Sequence, residues 1–204
     1  MLRAWLVFRD AVRLTFQRIG LLLTLNILWW LLSLLLLTWP PATAALYHVS
    51  RRLTNIEVSE QTTWRDFFEG MRQYWLKSWQ LALGDLALGG VISFGFWFYF
   101  NLEHTMLRWV ALPIFYIFLV WLGMQLYLFP LLIEQSDKRI RLIFRNAFFL
   151  ALGNVGLTAW LGLLLLAVIL VSSVLTGPVL LILISFLAVA QTLAVQEILA
   201  AQPK

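Results

Sequence analysis

Long apolar runs separated by short polar stretches set the plan of this chain. Four runs, Ile19 to Trp39, Ser78 to Phe100, Leu107 to Ile133 and Asn154 to Leu175, are long enough to cross a membrane. Each holds the roughly 20 residues that a helix needs to span ~30 Å of hydrocarbon. A fifth, Pro178 to Leu199, follows a Thr176-Gly177-Pro178 turn that leaves room only for an antiparallel hairpin. Between the first two long runs lies a shorter one, Pro41 to Leu53, launched by Pro40-Pro41. Proline suits a helix start, where its missing N–H has no partner to lose. Thirteen residues of helix reach only ~20 Å, short for a full crossing.

Three other stretches alternate at helical spacing, with charges opposite an apolar face. In residues 1–18, Trp5, Phe8, Val12, Phe16 and Ile19 form one face and Arg3, Asp10, Arg13 and Gln17 the other. In 64–77, Trp64, Phe67, Phe68, Met71, Tyr74 and Trp75 oppose Arg65, Glu69 and Arg72. In 137–152, Ile140, Phe144, Ala147 and Ala151 face away from Lys138, Arg141 and Arg145, and Ser136 or Asp137 is placed to cap the start. Such helices lie in the headgroup plane, with Arg3, Arg9, Arg13, Arg65, Arg72, Arg141 and Arg145 toward anionic lipid. Each carries a similar tetrad: Phe8-Arg9-Asp10-Ala11, Trp64-Arg65-Asp66-Phe67 and Phe144-Arg145-Asn146-Ala147. That suggests a degenerate repeat of one interfacial helix and one membrane hairpin.

Composition agrees with a membrane reading. Of 204 residues, 62% are hydrophobic and only 12% charged, against roughly 25% charged in soluble domains. A single soluble domain of this size has too much surface to hide so much apolar chain. Charge placement then decides whether the short helix crosses. If it does, 14 of the 15 basic residues share one face, leaving Arg108 alone opposite. If it does not, Arg3, Arg9, Arg13 and Arg18 are stranded on the other side. The positive-inside rule selects the first arrangement, with both termini cytoplasmic. The net charge of +5 does not imply nucleic acid, because the basic residues are scattered between apolar runs. The first apolar run, 21 residues ending in Trp39-Pro40, is too long for a secretory signal, so cleavage is not expected.

The expected fold is all-α. It is a polytopic membrane helix bundle forming a single transmembrane domain, with five long transmembrane helices plus one short Pro-initiated membrane helix. Three hairpins follow, 19–39 with 41–53, 78–100 with 107–133, and 154–175 with 178–199, and amphipathic interfacial helices lie on the cytoplasmic side.

Candidate chemistry is sparse. The two histidines, His48 and His104, fall on opposite expected faces, and no HExxH, GxSxG, GxxxxGK or GxGxxG occurs. With no cysteine, thiolate and cysteine–metal chemistry are excluded; no cofactor or metal is expected. Glu57, Glu60, Asp66, Glu69, Glu134 and Asp137 read as solvated counter-charges to the cytoplasmic arginines. Inside the spans, polar groups are costly and therefore informative. Asp85, Asn26, Gln125, Gln191 and Asn154 form the candidate intramembrane polar site. Gly84, Gly89 and Gly90 allow a close helix approach near Asp85, which is expected to pack toward Asn26. Pro113 and Pro130 are placed to kink the third long run. On the short helix, Thr43, Tyr47 and Arg51 form a stripe beside Ala42, Ala44 and Ala45, whose small side chains suggest tight packing on the first span.

The stretch LNILWWLLSLLLLTWPPATAALYHVSRRL, followed by WRDFFEGMRQYWLKSWQLAL, resembles the YesL family of bacterial integral membrane proteins, a domain of unknown function (624). The matching positions are Asn26, Trp29, Thr38, Thr43, Ala44, Ala45, Leu46 and Tyr47, then Asp66, Phe67 and Phe68. Leu35 and Pro40 stand where that family usually has proline and glycine. The resemblance implies a bacterial cytoplasmic membrane protein without an assigned reaction, associated with carbohydrate uptake. It therefore suggests a non-enzymatic accessory or scaffold protein beside a membrane transporter complex. The alternatives are a small-solute transporter using Asp85 and Asn26, and an enzyme acting on a lipid-linked substrate.

Overall fold

A computed structural model describes residues 2–102, 107, 109–174 and 180–201. His104, Arg108, the Thr176-Gly177-Pro178 turn and Lys204 lie outside the described residues. Within them every regular element is helical: α1 (Leu2–Gln17), α2 (Ile19–Ser33), α3 (Trp39–Thr54), α4 (Arg65–Phe100), α5 (Ala111–Met124), α6 (Leu128–Glu134), α7 (Ile140–Gly153), α8 (Val155–Val174) and α9 (Leu180–Ala200). Short 3₁₀ turns occupy Leu36–Thr38 and Ser59–Gln61. Three helices are long and apolar enough to cross a membrane, namely α4, α8 and α9; the bent pairs α1–α2 and α5–α6 raise the number to five if each is one span.

The short Pro-initiated helix is the centre of the bundle. Pro40, Pro41, Ala42, Ala44, Ala45, Leu46, Val49 and Leu53 of α3 are all buried. Helices α2, α4, α6 and α9 pack around it, and α4 does so most extensively. The alanines are buried on a helix that packs on the first span, as expected, and more extensively still on α4. Small side chains let backbones approach closely, which matters where lipid removes the hydrophobic drive between helices. Gly70 of α4 meets His48 so tightly that a Cβ there would stand 2.7 Å from the histidine Cβ.

Several expected boundaries move. Residues 64–77 are not a separate interfacial helix but the first part of the unbroken, 36-residue α4. No proline, glycine or cap separates Lys77 from Ser78, so the helix runs on for ~54 Å. Phe67, Gly70, Tyr74, Ser78 and Leu81 form its buried stripe. The first span ends early, at Ser33, because the Thr38 hydroxyl turns back to the carbonyls of Leu32 and Leu35 before α3 begins. The third long run breaks at residues 125–127 with a 43° bend. Pro130 accounts for it: its ring lacks the N–H that would bond Leu126 and clashes with that carbonyl. Pro113 sits in the first turn of α5, where proline is tolerated. The proposed repeat also dissolves, since its tetrads fall mid-helix in α1 and α7 but at the start of α4.

Helix α1 meets α2 at 93°, with Arg18 leaving helical geometry between them. Its buried face is Ala4, Val7, Ala11 and Thr15, packed on α8 and α9. Trp5 and Phe16, two residues of the apolar face expected to meet lipid, are 58% and 71% exposed. At 100° per residue they lie about a third of a turn from the middle of the packed stripe, on the edge next to Arg9. Helix α1 thus has three faces: small side chains on the bundle, exposed aromatics, and charge.

Helix α7 is amphipathic as expected, burying Ile143, Ala147, Leu150 and Ala151. Asp137 does not cap α7 itself; its carboxylate accepts from Arg139 N at 3.1 Å, one turn ahead.

Two glycines on α4 give a matched test of this packing. Gly70→Ala forces a methyl into His48, whereas Gly90→Ala meets nothing within 4 Å. The second substitution should stabilise by about 0.5–1 kcal/mol through helix propensity. The first should lose on the order of 1–3 kcal/mol to overpacking. Thermal unfolding in detergent reads the difference, and equal shifts would contradict the close α3–α4 contact.

Candidate functional site

The richest polar cluster forms where the C-terminal end of α3 meets α4, α6 and α9. Thr43, Tyr47 and Arg51 recur every fourth residue, so one face of α3 carries a hydroxyl, a phenol and a guanidinium in line. Trp29 Nε1 donates to Thr43 Oγ1 at 3.0 Å, joining α2 to α3. Tyr47 donates to Gln191 Oε1 at 2.6 Å, joining α3 to α9, while its ring stacks on Phe129 of α6. Arg51 Nε pairs with Glu134 Oε2 at 3.1 Å, and its Nη1 donates to the Ile133 carbonyl at 3.2 Å. Gln196 of α9 donates to Glu134 Oε1 at 2.7 Å and to Thr54 Oγ1 at 3.0 Å.

Lys138 closes this cluster from the loop after α6. Its Nζ donates to the Ile133 carbonyl at 2.8 Å and stands 5.4 Å from the centre of the Tyr74 ring. The last carbonyls of a helix lack intrahelical partners and carry the negative end of its dipole, so two cations there are well placed. Burial, and then the nearby Arg51 charge, push the Lys138 ammonium down to about 8, against the opposing pull of Glu134. Beside this cluster, Arg52 approaches Asp66 at 3.5 Å. Asp66 also accepts from Thr63 N at 2.7 Å, the reach-back half of a capping box at the start of α4. Glu134 and Asp66 are therefore not solvated counter-charges as expected; each side chain is only 12% exposed and holds two helices or a cap together.

Asp85 has a different partner from the one expected. Its Oδ1 accepts from Trp121 Nε1 at 2.9 Å and from Gln125 Nε2 at 2.8 Å, both on the α5 side. Helix α2 packs chiefly on α9 and α3, whereas both donors to Asp85 come from the α5 side. Trp121 and Gln125 are four residues apart and share a helix face, which aims both donors at one oxygen. Gly89, one turn beyond Asp85, gives the indole its seat: a Cβ there would stand 2.5 Å from Trp121 Cζ2. Gly84 instead receives Phe144 of α7, and Gly90 receives no neighbour.

The five expected intramembrane polar residues thus separate. Asp85 and Gln125 bond each other, Gln191 belongs to the α3 cluster, and Asn26 is fully buried on α2. Asn154 marks the α7–α8 joint, where its side chain donates to the Leu150 carbonyl at 3.3 Å. Of the motif positions, Ala44, Ala45, Leu46 and Phe67 are buried, while Phe68 is 42% exposed and meets Trp64 and Phe67 edge-on. Among the expected lipid-facing arginines, Arg9 leans on its neighbour Asp10 and Arg65 lies over Trp64. Sequence reading gave no place in the cluster to Glu134, Gln196, Lys138 or Trp121. The bonds of Tyr47 to Gln191 and of Gln196 to Glu134 close over 144 and 62 residues, a separation that local spacing does not reveal. Trp121 alone left a signal, its four-residue offset from Gln125. Among the described residues no three His, Cys, Asp or Glu side chains gather as metal ligands.

The family described as "Protein of unknown function, DUF624" matches residues 22–102. The match covers 81 of the 204 residues. It runs from α2 through the end of α4 and contains the Trp29–Thr43 and Arg52–Asp66 pairs entire. No curated protein and no solved structure matches the chain. The DUF624 segment supplies Tyr47, Arg51 and Asp85, while their partners Gln191, Glu134, Trp121 and Gln125 come from outside it.

Asp85→Leu removes the acceptor shared by Trp121 and Gln125 and should cost about 1–3 kcal/mol, the penalty of unpaired polar groups. Asp85→Asn keeps an oxygen for the indole and should cost markedly less. Unfolding in detergent ranks them, and a Leu variant as stable as the parent would show that the triad does not hold α4 to α5.

Proposed function

We propose that this chain is a non-enzymatic scaffold or accessory protein of the bacterial cytoplasmic membrane, acting beside a membrane transporter complex. The observation that supports it is the use of its polar side chains. Arg51, Glu134, Gln196, Thr54, Tyr47 and Gln191 bond one another across α3, α6 and α9. A rigidly locked bundle of this kind is suited to presenting surfaces. In this reading α2, α3, α4, α5–α6, α8 and α9 supply the crossings, and the basic ends and both termini are cytoplasmic. Helices α1 and α7 lie in the headgroup plane, their arginines toward anionic lipid. The carbohydrate association implied by the sequence resemblance makes a sugar uptake system the partner.

The transporter alternative has lost one half of its site, since Asn26 is on α2 and Asp85 bonds α5. It now depends on Asp85 and Gln125 alone. The enzyme alternative has no particular constellation in its favour.

Two measurements test the proposal. The native chain lacks cysteine, so single cysteines at Asn55, His104, Ser136 and Thr176 report sidedness cleanly. Membrane-impermeant thiol reagents should label the His104 and Thr176 positions from outside and the other two only after lysis. Outside labelling at Asn55 would overturn the six-crossing arrangement. For function, the purified chain reconstituted alone in proteoliposomes should move no labelled sugar above empty vesicles, while cells lacking it should take up sugar several-fold more slowly. Uptake by the chain alone that Asp85→Asn abolishes would establish the transporter instead.

A further inference from the structure

Helix α7 lies across the α4–α5 pair. Phe144 packs on Gly84 of α4, and seven residues later Ala151 packs beside Gly123 of α5. Seven residues of helix advance ~10 Å, about the distance between two packed helix axes. Asp85 bonds both Trp121 and Gln125, so Gly84 and Gly123 stand at one level, and α7 forms a ledge there.

Above the ledge an open cleft of about 720 Å³ runs between α4, α5 and α7. Leu88, Ile92, Tyr116, Ile117, Phe148 and Leu152 line it. Of the polar groups on its wall, the Trp121 indole N–H is turned to Asp85, and the exposed Tyr116 carries a phenol, so the wall is almost wholly hydrocarbon. The volume falls in the ~300–1,000 Å³ range of small-molecule sites. A partner helix of ~10 Å diameter would use it up in fewer than two turns.

The charge at the ledge is one-sided. Arg141 and Arg145 are seven and three residues before Phe148, so both project from the side of α7 that lines the cleft or from its outer edge. Both are exposed. Among the described residues the ion pairs join Arg9 to Asp10, Arg51 to Glu134, Arg52 to Asp66 and Arg139 to Asp137, and none engages these two guanidinium groups.

We infer that the cleft seats one anionic phospholipid, with an acyl chain along α4 and α5 and its phosphate at Arg141 and Arg145. This rests on the membrane reading above and adds to it a defined, stoichiometric site. Guanidinium pairs bind phosphate oxygens by charge-assisted hydrogen bonds, and an apolar channel beginning at such a pair matches the two ends of one lipid.

Native mass spectrometry of the detergent-purified full chain tests this, with phosphatidylglycerol and phosphatidylcholine of identical acyl chains as probes. The parent should retain one phosphatidylglycerol per chain, preferred on the order of tenfold over phosphatidylcholine. Arg141→Gln with Arg145→Gln should abolish the preference while leaving the exposed ledge folded. Leu88→Trp, which fills the cleft, should lower retention of both lipids. Equal retention of the two lipids by the parent, or unchanged retention by Leu88→Trp, would overturn the site. A dimer that Leu88→Trp dissolves would assign the cleft to a second copy and overturn it as well. Recovery in the carbonate-washed membrane pellet is read separately for each variant. Loss of the parent from that pellet would refute the membrane reading itself, whereas lost selectivity in a chain still in the pellet would refute the lipid site alone.

Discussion

Everything else in this bundle depends on how closely its neighbours approach α3. Its alanines and prolines are buried, and Gly70 of α4 lies directly on His48. In lipid there is no water to drive apolar surfaces together, so close contact and hydrogen bonding carry the association. The close approach also sets the register of the polar stripe. A slip of one residue would turn Arg51 by ~100° about the α3 axis and away from Glu134. Packing by small side chains comes first, and the charge network is built on the positions it fixes.

How much of this was legible depended on whether a signal was local. Pro40-Pro41 announced the start of α3, and the four-residue spacing of Thr43, Tyr47 and Arg51 announced its polar face. The periodicity of 137–152 gave α7 within two or three residues at its start and one at its end. The thinning of charge after Lys77 was mistaken for a helix boundary, although a change of environment along a helix requires no change of backbone. In α1 the apolar residues were correctly separated from the arginines, but two apolar faces were merged into one. Periodicity ranks residues by polarity and does not distinguish a face that meets protein from one that meets another apolar medium. Small residues such as Ala4 and Ala11, buried completely, are the better marker of a protein contact.

The two clusters of polar groups do different mechanical work. At the end of α3 the charges terminate helices: Arg51 and Lys138 both reach the Ile133 carbonyl at the C-terminal end of α6, and Asp66 closes the start of α4. These groups answer a demand that every helix end makes, so their energetic value is mainly the avoidance of orphaned backbone acceptors and donors. The Asp85 triad lies within helices whose backbones are already satisfied. Its three side chains have no such obligation, and their effect is to fix the rotation of α5 against α4, with the indole seated against Gly89.

That distinction bears on what the DUF624 segment is. Its internal pairs, Trp29 with Thr43 and Arg52 with Asp66, tie α2 to α3 and α3 to α4. Tyr47, Arg51 and Asp85 are satisfied only from α9, α6 and the α5 side, all beyond residue 102. Folded alone, the segment would hold a phenol, a guanidinium and a carboxylate with no protein partner, two of them on its most tightly packed helix. An unpaired polar group away from water is costly, and Tyr47, the buried one of the three, bears that cost most directly. Residues 22–102 are therefore the part of one cooperative unit that matches the family, and the rest of that unit supplies the partners of side chains the segment already carries.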